Sequence, residues 1–178
     1  VFIRAALMRF EFVSPLPKSN SQPTREIISA VKEGPMSEAN KALIRRVIEE
    51  LFNKHNAALI DELYPDCVYR APAVGELRGE AYKQFLTSVL AGFPDGRWTV
   101  EDQVAEGDKV VTRWSFTGIH RGNVMGIAPT GKQVTTSGVM IDRIIGGKIA
   151  EEWEEYDSLG MMQQLDAEPA IAKDKAAA

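Results

Sequence analysis

The chain has 178 residues, 44% apolar and 26% charged, a balance that suits one globular domain with its own core. A net charge of −4 with no Lys/Arg run interleaved with aromatics argues against nucleic acid and anionic lipid as partners. One cysteine, Cys67, and two histidines leave no internal disulfide and no Cys/His zinc cluster. No apolar run approaches the roughly 20 residues that cross a bilayer, so the expectation is a cytoplasmic protein without membrane contact.

Residues 1–35 read as a flexible N-terminal extension. Val13 to Thr24 is rich in Ser, Pro, Asn and Gln and offers little to bury, although Arg25 to Lys32 has the pattern of a short helix ended by Gly34 and Pro35. Met36 followed by the N-cap residue Ser37 is consistent with a natural start behind an upstream addition. The domain is expected over residues 36–168, with a disordered tail at 169–178.

From Glu38 to about His55, Leu43, Ile44, Val47, Ile48, Leu51 and Phe52 form one apolar stripe, which predicts an amphipathic helix. Leu59, Ile60 and Leu63 predict a short second helix ended by Pro65, followed by a brief strand at Cys67 to Arg70. After a Pro/Gly loop, Tyr82, Phe85, Leu86 and Val89 predict a third helix over Glu80 to Leu90, stopped between Gly92 and Gly96.

The period then changes from 3.6 to 2. Trp98, Val100 and Asp102 alternate with Thr99, Glu101 and Gln103. Gly107 and Asp108 turn the chain, and Val110, Thr112, Trp114 and Phe116 line one face of the next strand. Gln133 to Ile145 and Lys148 to Tyr156 complete a four-strand meander around the turn Gly146-Gly147. The prediction is an α+β fold: three N-terminal helices on one side of a curved, mostly antiparallel sheet, with a short C-terminal helix.

Asp157 follows the strand carrying Trp153 and precedes the helix beginning at Ser158. To act as a base near neutrality it needs its pKa raised from about 3.9, which only burial achieves. Regular alternation would put Ile149, Glu151, Trp153, Glu155 and Asp157 on one face, bringing Asp157 beside the indole. The plainer reading is that Asp157 or Ser158 caps the helix. His120 lies in GIHRG, within a glycine-rich stretch from Gly118 to Gly131, where it can polarise a carbonyl or stand as an exposed loop residue. His55 is read as complementing the dipole of the first helix.

Glu151, Glu152, Glu154 and Glu155 fall on two strand faces and are read as solvated rather than as a metal site or a paired-carboxylate acid/base couple. The aromatic and methionine set is read mainly as core. Phe52, Tyr69, Phe85, Trp114, Met140 and Trp153, with Arg70 beside them, are the candidates for lining a substrate cavity. Arg70 either meets a substrate oxygen or pairs with a surface carboxylate.

The segments GIHRG, GIAPTGK, IIGGKI and EEWEEYDSLGMMQQL, in this order, resemble the SnoaL-like polyketide cyclase or ester cyclase family of the nuclear transport factor 2-like superfamily. The resemblance spans about Ser37 to Asp166. It implies a cone-shaped α+β fold around an apolar pocket, commonly a homodimer, and cofactor-independent, metal-free ring closure of a small apolar carbonyl substrate by an intramolecular aldol reaction. Asp157 matches the family's acid/base aspartate, His120 its loop histidine, and Trp114 and Trp153 its sheet aromatics. Arg70 stands where many relatives carry histidine, and His55 where a glycine is usual.

Two alternatives stay open. One is a non-catalytic binding protein or dimeric scaffold of the same fold. The other is an isomerase or hydrolase using the same pocket, with Asp102, Asp142 or Glu151 as a second carboxylate.

Overall fold

The computed structural model describes residues 35–167. The helix expected at Arg25 to Lys32 and the tail expected at 169–178 lie outside the described residues.

Helix α1 (Pro35–Arg46) runs directly into a π-helical stretch, Val47–Asn53, so the single predicted helix is observed with a widened C-terminal half. The wider turn sets Ile48 and Phe52, four residues apart, toward the interior. Asn53 closes it by bonding the backbone of Trp98 in both directions, with Trp98 N–H donating to Oδ1 at 2.8 Å and Nδ2 donating to the Trp98 carbonyl at 3.0 Å. His55 follows with φ of +55°, a left-handed conformation that glycine adopts without strain, which accounts physically for the glycine expected in this turn. Its Nε2 lies 3.3 Å from the Phe93 carbonyl.

Helix α2 (Ala58–Leu63) leads to strand β1 (Val68–Ala71). The Pro/Gly segment after it was expected to be loop, but it turns back as strand β2 (Gly75–Arg78), paired antiparallel with β1. Its residues are mostly exposed, so they carry no alternating apolar signal. Helix α3 (Gly79–Gly92) then buries Tyr82, Leu86 and Leu90.

Strands β3 (Arg97–Glu106), β4 (Lys109–Ile119), β5 (Gln133–Ile145) and β6 (Lys148–Tyr156) form the predicted meander, and helix α4 (Ser158–Gln164) follows. The six strands are ordered β2-β1-β6-β5-β4-β3, with β1 parallel to β6 and every other pair antiparallel. Helix α1 packs on β3 and β4, α3 on β1 and β2, and α4 on β5. The α+β architecture is therefore the one the residue patterns implied.

Two bulges change which side chains face inward. Glu101 is the extra residue between Val100 and Asp102, so Asp102 turns outward, where it pairs with Arg113 at 2.7 Å. Ala150 is the extra residue where Ile144 pairs with Ile149 and Arg143 with Glu151. Ile149 is buried, and beyond the bulge Glu152, Glu154 and Tyr156 turn inward while Glu151 and Trp153 turn outward.

Candidate active site

Between the helices and the inner face of the sheet lies a cavity of about 100 Å³, room for several ordered waters at roughly 10–15 Å³ each. The π-helical stretch supplies Phe52, helix α3 supplies Tyr82 and Phe85, β1 supplies Tyr69, and the meander supplies Trp98, Trp114, Phe116, Met140 and Tyr156. Bare glycines make space for these rings. A Cβ on Gly138 would approach Trp114 Cζ2 at 2.7 Å and the Glu155 carbonyl at 2.6 Å, so this position opposite Trp114 accepts only glycine without rearrangement.

The polar side of the cavity consists of acids and phenols. Glu154 accepts a hydrogen bond from the Tyr69 hydroxyl at 2.5 Å, and Glu152 accepts one from the Tyr82 hydroxyl at 2.8 Å. The two phenol rings stack on each other with centroids 4.5 Å apart and 8° between planes, so the donors are delivered side by side. Behind them on β5, Asp142 is the register partner of Glu152, is 1% exposed, and has one carboxyl oxygen without a hydrogen-bond partner.

Among the described residues no lysine, arginine or histidine lines the cavity. Burial, with no lining cation to offset it, therefore raises all three acids. Glu154 is pushed up to about 7 by desolvation, against the opposing hydrogen bond from Tyr69. Glu152 and Asp142 are held well above the carboxylate range by burial first and by neighbouring carboxylates second. The three titrate as one system, and Glu154 is the member poised near neutrality. Among the described residues no three His, Cys, Asp or Glu side chains are arranged to hold a metal ion.

Five of the expected lining residues, Phe52, Tyr69, Phe85, Trp114 and Met140, line this cavity. Arg70 and Trp153 do not. They lie on the outer face of the sheet, where the guanidinium stands 5.3 Å from the indole centroid, with Lys109 6.0 Å away. Arg70 also pairs with Glu76 at 2.8 Å and Glu151 at 3.6 Å, so its surface-carboxylate reading is the one observed.

Asp157 is exposed and does not line the cavity. It caps α4, accepting the Gly160 N–H at 2.9 Å. The expected desolvation beside Trp153 is absent because the Ala150 bulge shifts the strand's phase. His120 is not an exposed loop residue but fully buried, accepting the Thr130 N–H at Nδ1 (3.3 Å) and lying 5.3 Å from the Phe93 ring. Burial lowers its pKa, partly offset by the Gly122 backbone, which favours the neutral ring. Its ring lies against Phe93, a residue of the cavity wall.

Glu152 and Glu154 are read from the sequence as part of a solvated strand face, and Tyr82 and Thr136 are not singled out there as site residues. The available signal was the shared face of Glu152, Glu154 and Tyr156 opposite Asp142, the one acid in the inner row of β5 (Val134, Thr136, Gly138, Met140, Asp142 and Ile144).

An α+β sheet with helices on one face and a half-open, mainly apolar cavity carrying acids is the architecture of the nuclear transport factor 2-like fold. A Burkholderia pseudomallei protein described as nuclear transport factor 2-like and of unknown function shares that fold at TM-score 0.60 and 17% identity, covering 72% of this chain and 98% of its own. The chain belongs to the SnoaL-like polyketide cyclase family, which it matches over residues 42–165. A candidate SnoaL-like polyketide cyclase from Jannaschia sp. CCS1 superimposes with TM-score 0.70 at 24% identity, covering 78% of this chain and 99% of its own. AclR, a candidate hydroxylase from Streptomyces galilaeus, follows at 0.64 and 26%, covering 73% and 97%. No curated protein sequence matches the chain. No described helix is long and apolar enough to cross a membrane.

Proposed function

We propose that the protein is an acid/base enzyme that enolises a neutral carbonyl compound and closes a ring by intramolecular aldol addition. The observation that carries this reading is Glu154, a cavity-lining carboxyl poised at about 7 and held by the Tyr69 hydroxyl. A base whose pKa lies near the working pH gains most from proton transfer.

In the first step the Glu154 carboxylate takes a proton from the carbon beside a substrate carbonyl, and the C–H electron pair moves to the carbonyl oxygen as an enolate. The enolate carbon then attacks a second carbonyl of the same molecule. A C–C bond forms, the second C=O becomes an alkoxide, and that alkoxide recovers the proton from Glu154. The aromatic wall folds the substrate so that the two centres meet, which supplies effective concentration. The role anticipated for Asp157 passes to Glu154, since an exposed capping carboxylate lacks the desolvation that the role requires.

The test is solvent deuterium exchange at the activated carbon of aromatic β-keto methyl esters, with products followed by NMR. Glu154→Gln is expected to lower exchange by about 10²- to 10⁴-fold, and Asp157→Asn to leave it unchanged. The reverse pattern restores Asp157 as the base. Absence of exchange in the unaltered protein favours plain binding.

A second reading, isomerisation, has its own support. Glu152 and Asp142 stand next to Glu154 and provide neighbouring carboxyls that can return the proton at a different carbon. A migrated double bond without a new C–C bond would select it.

A further inference from the structure

The wall of the cavity away from the acids also carries polar groups. Trp114 on β4 and Thr136 on β5 are among its lining residues, each at least nine-tenths buried, with the indole nitrogen and the hydroxyl oxygen themselves covered. Neither the indole Nε1–H nor the Thr136 hydroxyl has a hydrogen-bond partner among the described residues. Buried donors are normally paired, and each unpaired one costs stability that a cavity occupant can recover.

The two groups are neighbours in the sheet. Trp114 faces Gly138 and Phe116 faces Thr136 across the β4–β5 pair, so Trp114 and Thr136 sit at diagonal positions on the same inner face. With no side chain at Gly138, the indole lies across β5, the strand that carries Thr136. The other hydroxyls in the wall are already engaged: Tyr69 and Tyr82 with the acids, and Tyr156 with the Met125 sulfur at 3.9 Å.

The chemistry of the pair selects its ligand. An indole N–H only donates, and a threonine hydroxyl donates when an acceptor is offered. With no cation and two glutamates among the described lining residues, a carboxylate or phosphate finds no counter-charge there. A neutral carbonyl oxygen, with two lone pairs, satisfies both donors.

Register separates this point from the acids. Glu154 pairs with Met140, which is two residues from Gly138 and four from Thr136 along β5, or roughly 7 to 14 Å at strand spacing.

We propose that Trp114 and Thr136 form a two-donor subsite that grips a neutral carbonyl oxygen of the ligand, remote from the carbon facing Glu154. The subsite fixes which end of the molecule meets the acid and makes these two residues determinants of specificity. The inference rests on the cavity being the substrate site, as in the proposed function, but its readout is binding rather than turnover.

The experiment titrates the full chain with two small probes of equal shape, 1-tetralone and tetralin, which differ by the carbonyl oxygen. Indole N–H signals are followed by NMR, with that of Trp114 assigned through Trp114→Phe. The expected result is tighter binding of the ketone by about five- to tenfold and a ketone-specific shift of the Trp114 signal. Thr136→Val, nearly the same shape, should abolish the ketone preference while leaving tetralin binding and Tm unchanged or raised.

Equal affinities for the two probes, no binding of either, or a preference that persists in both variants would overturn the subsite. Glu154→Gln should retain the ketone preference. Loss of exchange activity and loss of oxygen recognition are thus read separately.

Discussion

Glu154 and Asp157 are three residues apart and differ in solvent more than in chemistry. Glu154 lies among aromatic rings and accepts a hydrogen bond from the Tyr69 hydroxyl, whereas Asp157 faces water and is committed to the first turn of α4. The Tyr69 bond favours the charged form of Glu154 and opposes the effect of burial. Tyr69→Phe is therefore predicted to raise the pKa of Glu154 above 7, moving the acid limb of the rate–pH profile upward. A profile that stays in place would show that the phenol does not tune the carboxyl. Asp157→Ala should cost about 1 kcal/mol of stability through loss of the cap, and Asp157→Asn much less, as measured by urea unfolding. His120 is legible as a functional candidate only by residue type. Nothing in GIHRG reveals that its ring is enclosed against Phe93 and Thr130.

Among the elements, β5 and β6 were readable to the residue because Gly146 and Gly147, both at positive φ, punctuate two long strand-forming runs, the first apolar on both faces. What the pattern could not carry was phase. Counting by two from the buried Ile149 points Glu151, Trp153 and Asp157 inward, and a single extra residue at Ala150 turns Glu152, Glu154 and Tyr156 inward instead. A bulge leaves no compositional trace in such a strand, so by alternation alone the inner acids read as a solvated face. Strand β2 was missed for a related reason, since its exposed residues have no apolar period to detect. Gly138 tests the packing that results. Gly138→Ala forces a Cβ against the Glu155 carbonyl and the Trp114 ring, and is predicted to destabilise by about 1–3 kcal/mol in denaturant unfolding. A neutral effect would mean that the indole has room to move.

For the whole molecule, the cost of enclosing three acids should be visible in the dependence of stability on pH. Asp142, Glu152 and Glu154 have pKa values raised by folding, so the native chain holds protons that the unfolded chain releases once the pH exceeds its ordinary carboxylate values. Their contribution is fully present below those values and is lost as pH rises through 7 and beyond. Surface carboxylates held by arginine, such as Glu76 and Glu151, have lowered pKa values and act in the opposite sense, losing stability only at acid pH. Tm is therefore predicted to fall between about pH 5.5 and about pH 8.5, and Asp142→Asn to flatten that fall. A Tm that rises over this range would contradict the buried, protonated cluster. The most direct test is a ¹³C carboxyl NMR titration of Glu154, assigned with Glu154→Gln. A midpoint near 7 is the predicted result. A midpoint near the free glutamate value of about 4.3 would contradict the account.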